Sequence, residues 1–145
     1  MKYLYVFLIY IIGSASTCTP NNDIIGRWLC DATGTFTGQD QGQDRTIPIS
    51  EFYEMFQIHP GKYQFNSDGT CKFTVSKRDG TFQEHIMQYQ RNYQDNDNKI
   101  LITNPAKERD TIIMTINELT TNRMTIRLDD LNDDFTLNLN LNKIE

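Results

Sequence analysis

The stretch "FTLNLNLNKI", Phe135 to Ile144, sets Phe135, Leu137, Leu139 and Leu141 against Thr136, Asn138, Asn140 and Asn142. A repeat of two sends one set of side chains to each face of an extended strand, apolar to one side and polar to the other. The same alternation runs back along the chain. "MTIRLDD" sets Met124, Ile126 and Leu128 against Thr125 and Arg127, and "TIIMTI" offers Ile112, Met114 and Ile116. "CKFTV" offers Cys71, Phe73 and Val75 against Lys72 and Thr74.

Between these runs lie short turn signals, of which Asp68-Gly69 in "NSDGT" is the clearest, because a tight hairpin needs positive φ. The pattern predicts strands near 24–32, 62–67, 70–78, 82–93, 98–103, 110–119, 122–129 and 134–142. A meander of eight strands exposes two edges unless it closes, and at eight strands closure is geometrically natural. The expected fold is therefore all-β, an eight-stranded up-and-down antiparallel β-barrel whose interior has room for a small ligand.

Residues 34–61 break the pattern and read as an insertion in the 24–145 barrel domain. "GTFTGQDQGQD" is polar and Gly-rich, and is expected to be loop. "PISEFYEMFQIHPG" carries Phe52, Tyr53, Met55, Phe56 and Ile58. Pro48 and Ser50, a candidate N-cap, allow a short helix there; an extra strand is the alternative. Such an apolar flap would serve either as a ligand lid or as a plug of ordinary core.

The N-terminus reads as a targeting segment. "MKYLYVFLIYIIGSAST" has one cation, Lys2, then an apolar run of about ten residues, then small residues, the layout of a secretory signal over 1–17. That run is shorter than the roughly 20 residues a membrane span needs. Export is expected, to the cell envelope or as a secreted protein. The next residue, Cys18, follows Ser14, Ala15, Ser16 and Thr17 and resembles the lipidated cysteine of bacterial lipoproteins, with 18–23 as a tether; cleavage near Ser16 is the alternative. A lipidated Cys18 would leave Cys30 and Cys71 as a pair able to form a disulfide in an oxidising compartment, or as two buried thiols. Removing Lys2 lowers the 14 basic side chains to 13 against 19 acidic, a net charge of −6. With no Lys/Arg cluster, nucleic acid is not an expected partner, and a membrane only through the anchor.

Gly26-Arg27-Trp28 opens the first strand, "YQFNSDGT" spans 63–70, "NKILIT" spans 98–103 and "INELTTNRMTIRL" spans 116–128. This ordered set resembles the lipocalin-like domains of exported bacterial lipoproteins, and Gly-x-Trp is the lipocalin signature. The resemblance covers nearly the whole chain after residue 18. It implies that Gly26 allows close packing where the chain enters the barrel and that Trp28, the single Trp, fills the closed end. It further implies a basic side chain from a late strand across the indole, with Arg127 and Arg123 as candidates.

Groups for catalysis are sparse. His59 and His85 show no metal-ligand spacing, no nucleophile sits in a recognisable setting, and the carboxylates of "DDLNDD" read as a solvated turn. No enzyme activity, metal or cofactor is expected. The leading expectation is a monomeric module that binds a small hydrophobic or amphipathic ligand. By parity the interior is lined by Phe73, Val75, Met114, Met124, Ile126, Leu137 and Leu139, with Tyr89 or Arg91 as polar contacts near the mouth; a solidly packed interior fits the same parity. The alternative is an interaction or inhibitor module that presents 34–61 to a protein target.

Overall fold

The computed structural model describes residues 23–144. The signal segment, Cys18 and most of the tether lie outside these residues. The chain forms β1 Gly26–Asp40, β2 Gln43–Pro48, α1 Ile49–Phe56, β3 Lys62–Phe65, β4 Thr70–Ser76, β5 Phe82–Gln90, β6 Lys99–Asn104, β7 Lys107–Leu119, β8 Arg123–Asp130 and β9 Phe135–Lys143. Strands β1 and β3 to β9 pair antiparallel in sequence order, and β1 pairs again with β9, closing an eight-stranded up-and-down barrel. β2 is an extra strand on the upper half of β1.

The length of β1 differs from expectation. Instead of ending near residue 32 it runs to Asp40 and turns back into β2, so 34–48 is a hairpin and not a loop. The turn holds Gln41 at φ 52° and Gly42 at φ 79°, positive values that suit a tight hairpin. Its Gln-Gly pair is a weaker turn signal than Asn-Gly or Asp-Gly, which is why composition hid the hairpin. The helix falls where Pro48 allows, but Pro48 itself is the N-cap residue and no side-chain cap is made, so Ser50 does not cap it.

Closure depends on a bulge. β1 pairs with β9 through Cys30↔Leu141, then again from Gly34↔Leu139, with the register shifting between them. Gly34 has φ +124°, and a Cβ there would lie 2.1 Å from the Asn138 carbonyl oxygen. Glycine is required at this seam.

Inward side chains follow the parity of the sequence. Met114, Met124, Ile126, Leu139 and Leu141 are buried, and among the described residues the buried set contains no charged side chain and no polar one apart from Tyr, Trp and the thiols of Cys30 and Cys71. The lower end is sealed by Trp28, which is fully buried and donates Nε1–H to the Ile24 carbonyl at 2.8 Å. The cation over the indole is Lys143, with Nζ 5.3 Å from the ring centroid, and neither Arg127 nor Arg123. Parity explains the correction. Lys143 is the cross-strand partner of Trp28 on β9 and shares its face, whereas Arg127 and Arg123 alternate with the inward Met124, Ile126 and Leu128. Arg127 instead pairs with Asp129 at 3.0 Å on the outside.

Candidate functional site

At the upper end the barrel is not filled by its own strands. α1 lies across the opening and buries Ile49 and Tyr53, spaced i and i+4 on one helical face, with Phe52 half-buried beside them. Beneath the helix is a cavity of about 210 Å³ lined by Ile49, Phe52, Tyr53, Ile58, His59, Gly61, Tyr63, Val75, Leu137 and Leu139. Its walls come from α1, the 57–61 connection, β3, β4 and β9. Seven of the ten lining residues are aliphatic or aromatic hydrocarbons or Gly, so the space favours apolar matter. The exposed His59 stands at its rim.

Two contacts hold the helix down. Cys30 Sγ lies 2.9 Å from Tyr53 Oη. The thiol also donates to the Asp31 carbonyl at 3.3 Å, which leaves sulfur lone pairs to accept the phenol proton. At the C-terminus of α1, Arg78 makes a two-pronged pair with Glu54, Nη1–Oε2 at 3.0 Å and Nη2–Oε1 at 2.6 Å. The Arg78 guanidinium holds the Glu54 carboxyl below its ordinary value. The Arg78 N–H donates to the Gln57 carbonyl at 2.9 Å, and Gln57 takes the left-handed conformation at φ 53° that ends the helix. This clasp ties the lid to the β4–β5 turn.

The predicted site residues divide. Val75, Leu137, Leu139, Phe52 and Tyr53 line the cavity. Phe73 is half-buried and packs on Tyr63 at 4.9 Å between ring centroids. Met114, Met124 and Ile126 are buried in the packed core and do not line the cavity. Tyr89 and Arg91 are at the wrong end for a mouth, because β5 runs downward and delivers them to the Trp28 side. There the Tyr89 hydroxyl donates to the Asn66 carbonyl and Arg91 pairs with Asp23. Met55 and Phe56 face solvent, 63% and 59% exposed, so only half of the expected lid covers anything. Met55 is two residues past Tyr53, on the opposite side of the helix, and the Phe56 ring leans tilted against Phe52 from outside, with centroids 4.8 Å apart. Ile58, one of the apolar residues of the flap, also lines the cavity; sequence reading missed Ile49 and Tyr63. Tyr63 shares strand parity with Phe65, and Ile49 precedes Tyr53 by one helical turn; those were the available signals.

Cys30 and Cys71 are free, buried thiols and not a disulfide. Cys71 is level with Phe65 and Gly26, four residues below Cys30 along the barrel. That offset is roughly 13 Å at a rise of about 3.3 Å per residue, beyond the ~7 Å Cα limit for a bridge. Burial pushes the Cys30 thiol up to about 11 and Cys71 up to about 12, from an ordinary 9.0. Between the ordinary and raised values the unfolded chain binds fewer protons than the folded one, so stability is full below pH 9 and declines as pH rises above it. The urea midpoint is expected to hold steady from neutral pH to 8.5 and then fall. Burial also raises the Tyr53 and Tyr63 phenols, which add to the fall at still higher pH. Cys71→Ala should flatten part of it at about pH 9–10, and an unchanged slope there would remove Cys71 as a cause.

The same thiols report on the lid. Cys30 lies under α1 and Cys71 in the barrel wall near the closed end. Arg78→Ala is expected to speed modification of Cys30 by an aromatic disulfide reagent several-fold while leaving Cys71 unchanged, read by peptide mass spectrometry. Equal acceleration at both would mean global opening and no clasp.

Among the described residues no group of three or more His, Cys, Asp or Glu is placed to hold a metal ion, and no helix is long and apolar enough to cross a membrane. No protein-family model matches the chain, and no curated protein sequence matches it.

Proposed function

We propose that this chain is an exported, lipocalin-like binding module, tethered through a lipid on Cys18, that holds a small apolar or amphipathic molecule under α1. The cavity roofed by Ile49, Phe52 and Tyr53 supports this reading more than any other observation. Its volume limits the ligand. About 210 Å³ exceeds the ~150 Å³ that accommodates benzene in a dry protein cavity, and falls below the roughly 300–1,000 Å³ of pockets for drug-sized molecules. One substituted ring or a short alkyl chain fills the space, and a long fatty acyl chain would extend out of it. A polar head on such a ligand would emerge beside His59.

The test is a methyl NMR titration with n-propylbenzene and, separately, dodecanoate. n-Propylbenzene is expected to give saturable shifts at Val75, Leu137, Leu139 and Ile49, and dodecanoate weaker ones. Leu139→Trp fills the space and should abolish the shifts while the barrel melts cooperatively. A folded protein with no saturable shift at these methyls would end the proposal.

A second reading, the interaction or inhibitor module, draws on the outer face of the same segment. Met55 and Phe56 are exposed next to a groove of about 330 Å³ lined by Phe36, Ile47 and Arg45. It predicts that Phe56→Ser and Met55→Ser leave the titration unchanged but weaken binding to a protein target.

A further inference from the structure

We propose that the upper half of β5 is a docking edge for an extended, basic segment of a partner protein, which adds to the barrel as a further strand. A closed barrel has no free edge by construction, yet among the described residues the upper half of β5, and the added strand β2, each leave one side without a strand partner. β6 meets β5 over Gln88–Gln90 alone, while β4 accompanies β5 from Phe82 to Gln88. Tyr89 donates its N–H to Gly69 on the β4 side. Main-chain groups alternate sides along an antiparallel strand, so Phe82, Glu84 and Ile86 turn N–H and C=O away from β4. Above Gln88, no strand among the described residues pairs with them.

The two free edges differ in their protection. β2 carries Asp44 and Arg45 and ends in Pro48, the charges and the missing donor that discourage pairing. β5 has Phe82 and Ile86, each 65% exposed, on the outer face at positions i and i+4. Apolar side chains bracketing a row of free main-chain donors and acceptors match strand addition, in which the backbone supplies affinity and alternate side chains supply selection.

Charge selects the occupant. Midway between Phe82 and Ile86 stands Glu84, whose side chain remains 42% exposed although Lys72 lies 3.5 Å away. In the self-pairing that uses all three residues, a second copy would place its own Glu84 opposite this one. Like charges facing each other across a strand pair are destabilising. A partner with Lys or Arg at that position and apolar residues two places to either side meets Glu84 with opposite charge and covers Phe82 and Ile86. The inference is independent of the cavity.

The experiment uses a fluorescein-labelled peptide, GVTKTVG, and fluorescence anisotropy. Saturable binding is expected, at least tenfold weaker for GVTETVG, and the order should reverse on Glu84→Lys. Because these residues are exposed, an unchanged melting curve for Glu84→Lys separates charge from folding. Absence of binding by the lysine peptide, or equal binding of both peptides, overturns the proposal. A dimer in light scattering that Ile86→Lys dissociates would assign the edge to a second copy and overturn it as well.

Discussion

Gly34→Ala is expected to lower stability by on the order of 3–5 kcal/mol, a large share of the roughly 5–15 kcal/mol that holds a domain folded. Two costs coincide at this residue. Its φ of +124° strains any L side chain, and the added Cβ would meet the Asn138 oxygen at 2.1 Å and the Asn138 carbonyl carbon at 3.2 Å. Both opposing atoms are backbone, and both belong to β9 at the seam that closes the barrel. Backing β9 away would pull Leu139 and Leu141 out of the core. Gly42 supplies the control. It also has positive φ, at +79°, but a Cβ there meets nothing within 4 Å. Gly42→Ala should therefore show strain alone, about 1 kcal/mol. Urea unfolding followed by Trp28 fluorescence measures both. Similar losses at the two glycines would show that contact with β9 does not matter.

Trp28→Ala should be comparably severe, about 3–5 kcal/mol from the lost apolar disc and the cavity left behind. The decisive part is the order within a series. Trp28→Phe keeps a ring at the closed end but gives up the hydrogen bond to Ile24, typically about 0.5–1.5 kcal/mol, together with part of the packing. Lys143→Met keeps a flexible apolar stem and deletes the charge over the ring, a contact worth roughly 0.5–2 kcal/mol. Circular dichroism melts, which do not depend on the Trp itself, should rank Ala below Phe, and Phe at or below the Lys143 variant. An Ala variant as stable as the parent would mean that the indole does not seal the barrel.

Much of this architecture was legible in the chain because strand parity is a strict code. Leu137 to Leu141, Met124 to Leu128 and Cys71 to Val75 each announced which side faces inward, and Trp28 announced the closed end. Parity does not report height. Tyr89 and Arg91 read as mouth residues although β5 carries them to the opposite end, and Met114, Met124 and Ile126 pack in the core without lining the cavity. Nor does parity name the neighbour across a seam. Lys143 reaches the indole because β9 lies beside β1, a pairing between positions more than a hundred residues apart. The hairpin over 34–48 was obscured because Gln-Gly turns are poor signals and Thr35, Phe36 and Thr37 alternate too briefly to stand out. The lid was half legible: Phe52 and Tyr53 cover the barrel, but the rotation that turns Met55 outward follows from helix geometry applied once the inward face is known. The free thiols depended on register, which cysteine counting does not see.

Xenon bound to crystals of the protein under pressure tests the central claim most directly, since xenon occupies dry apolar cavities and its scattering is unmistakable. A single strong site enclosed by Tyr53, Val75 and Leu139, with none around Trp28, is the predicted result. Xenon absent from the space beneath α1, or seated beside Trp28 at the closed end, would contradict a barrel that is packed below and hollow under its lid.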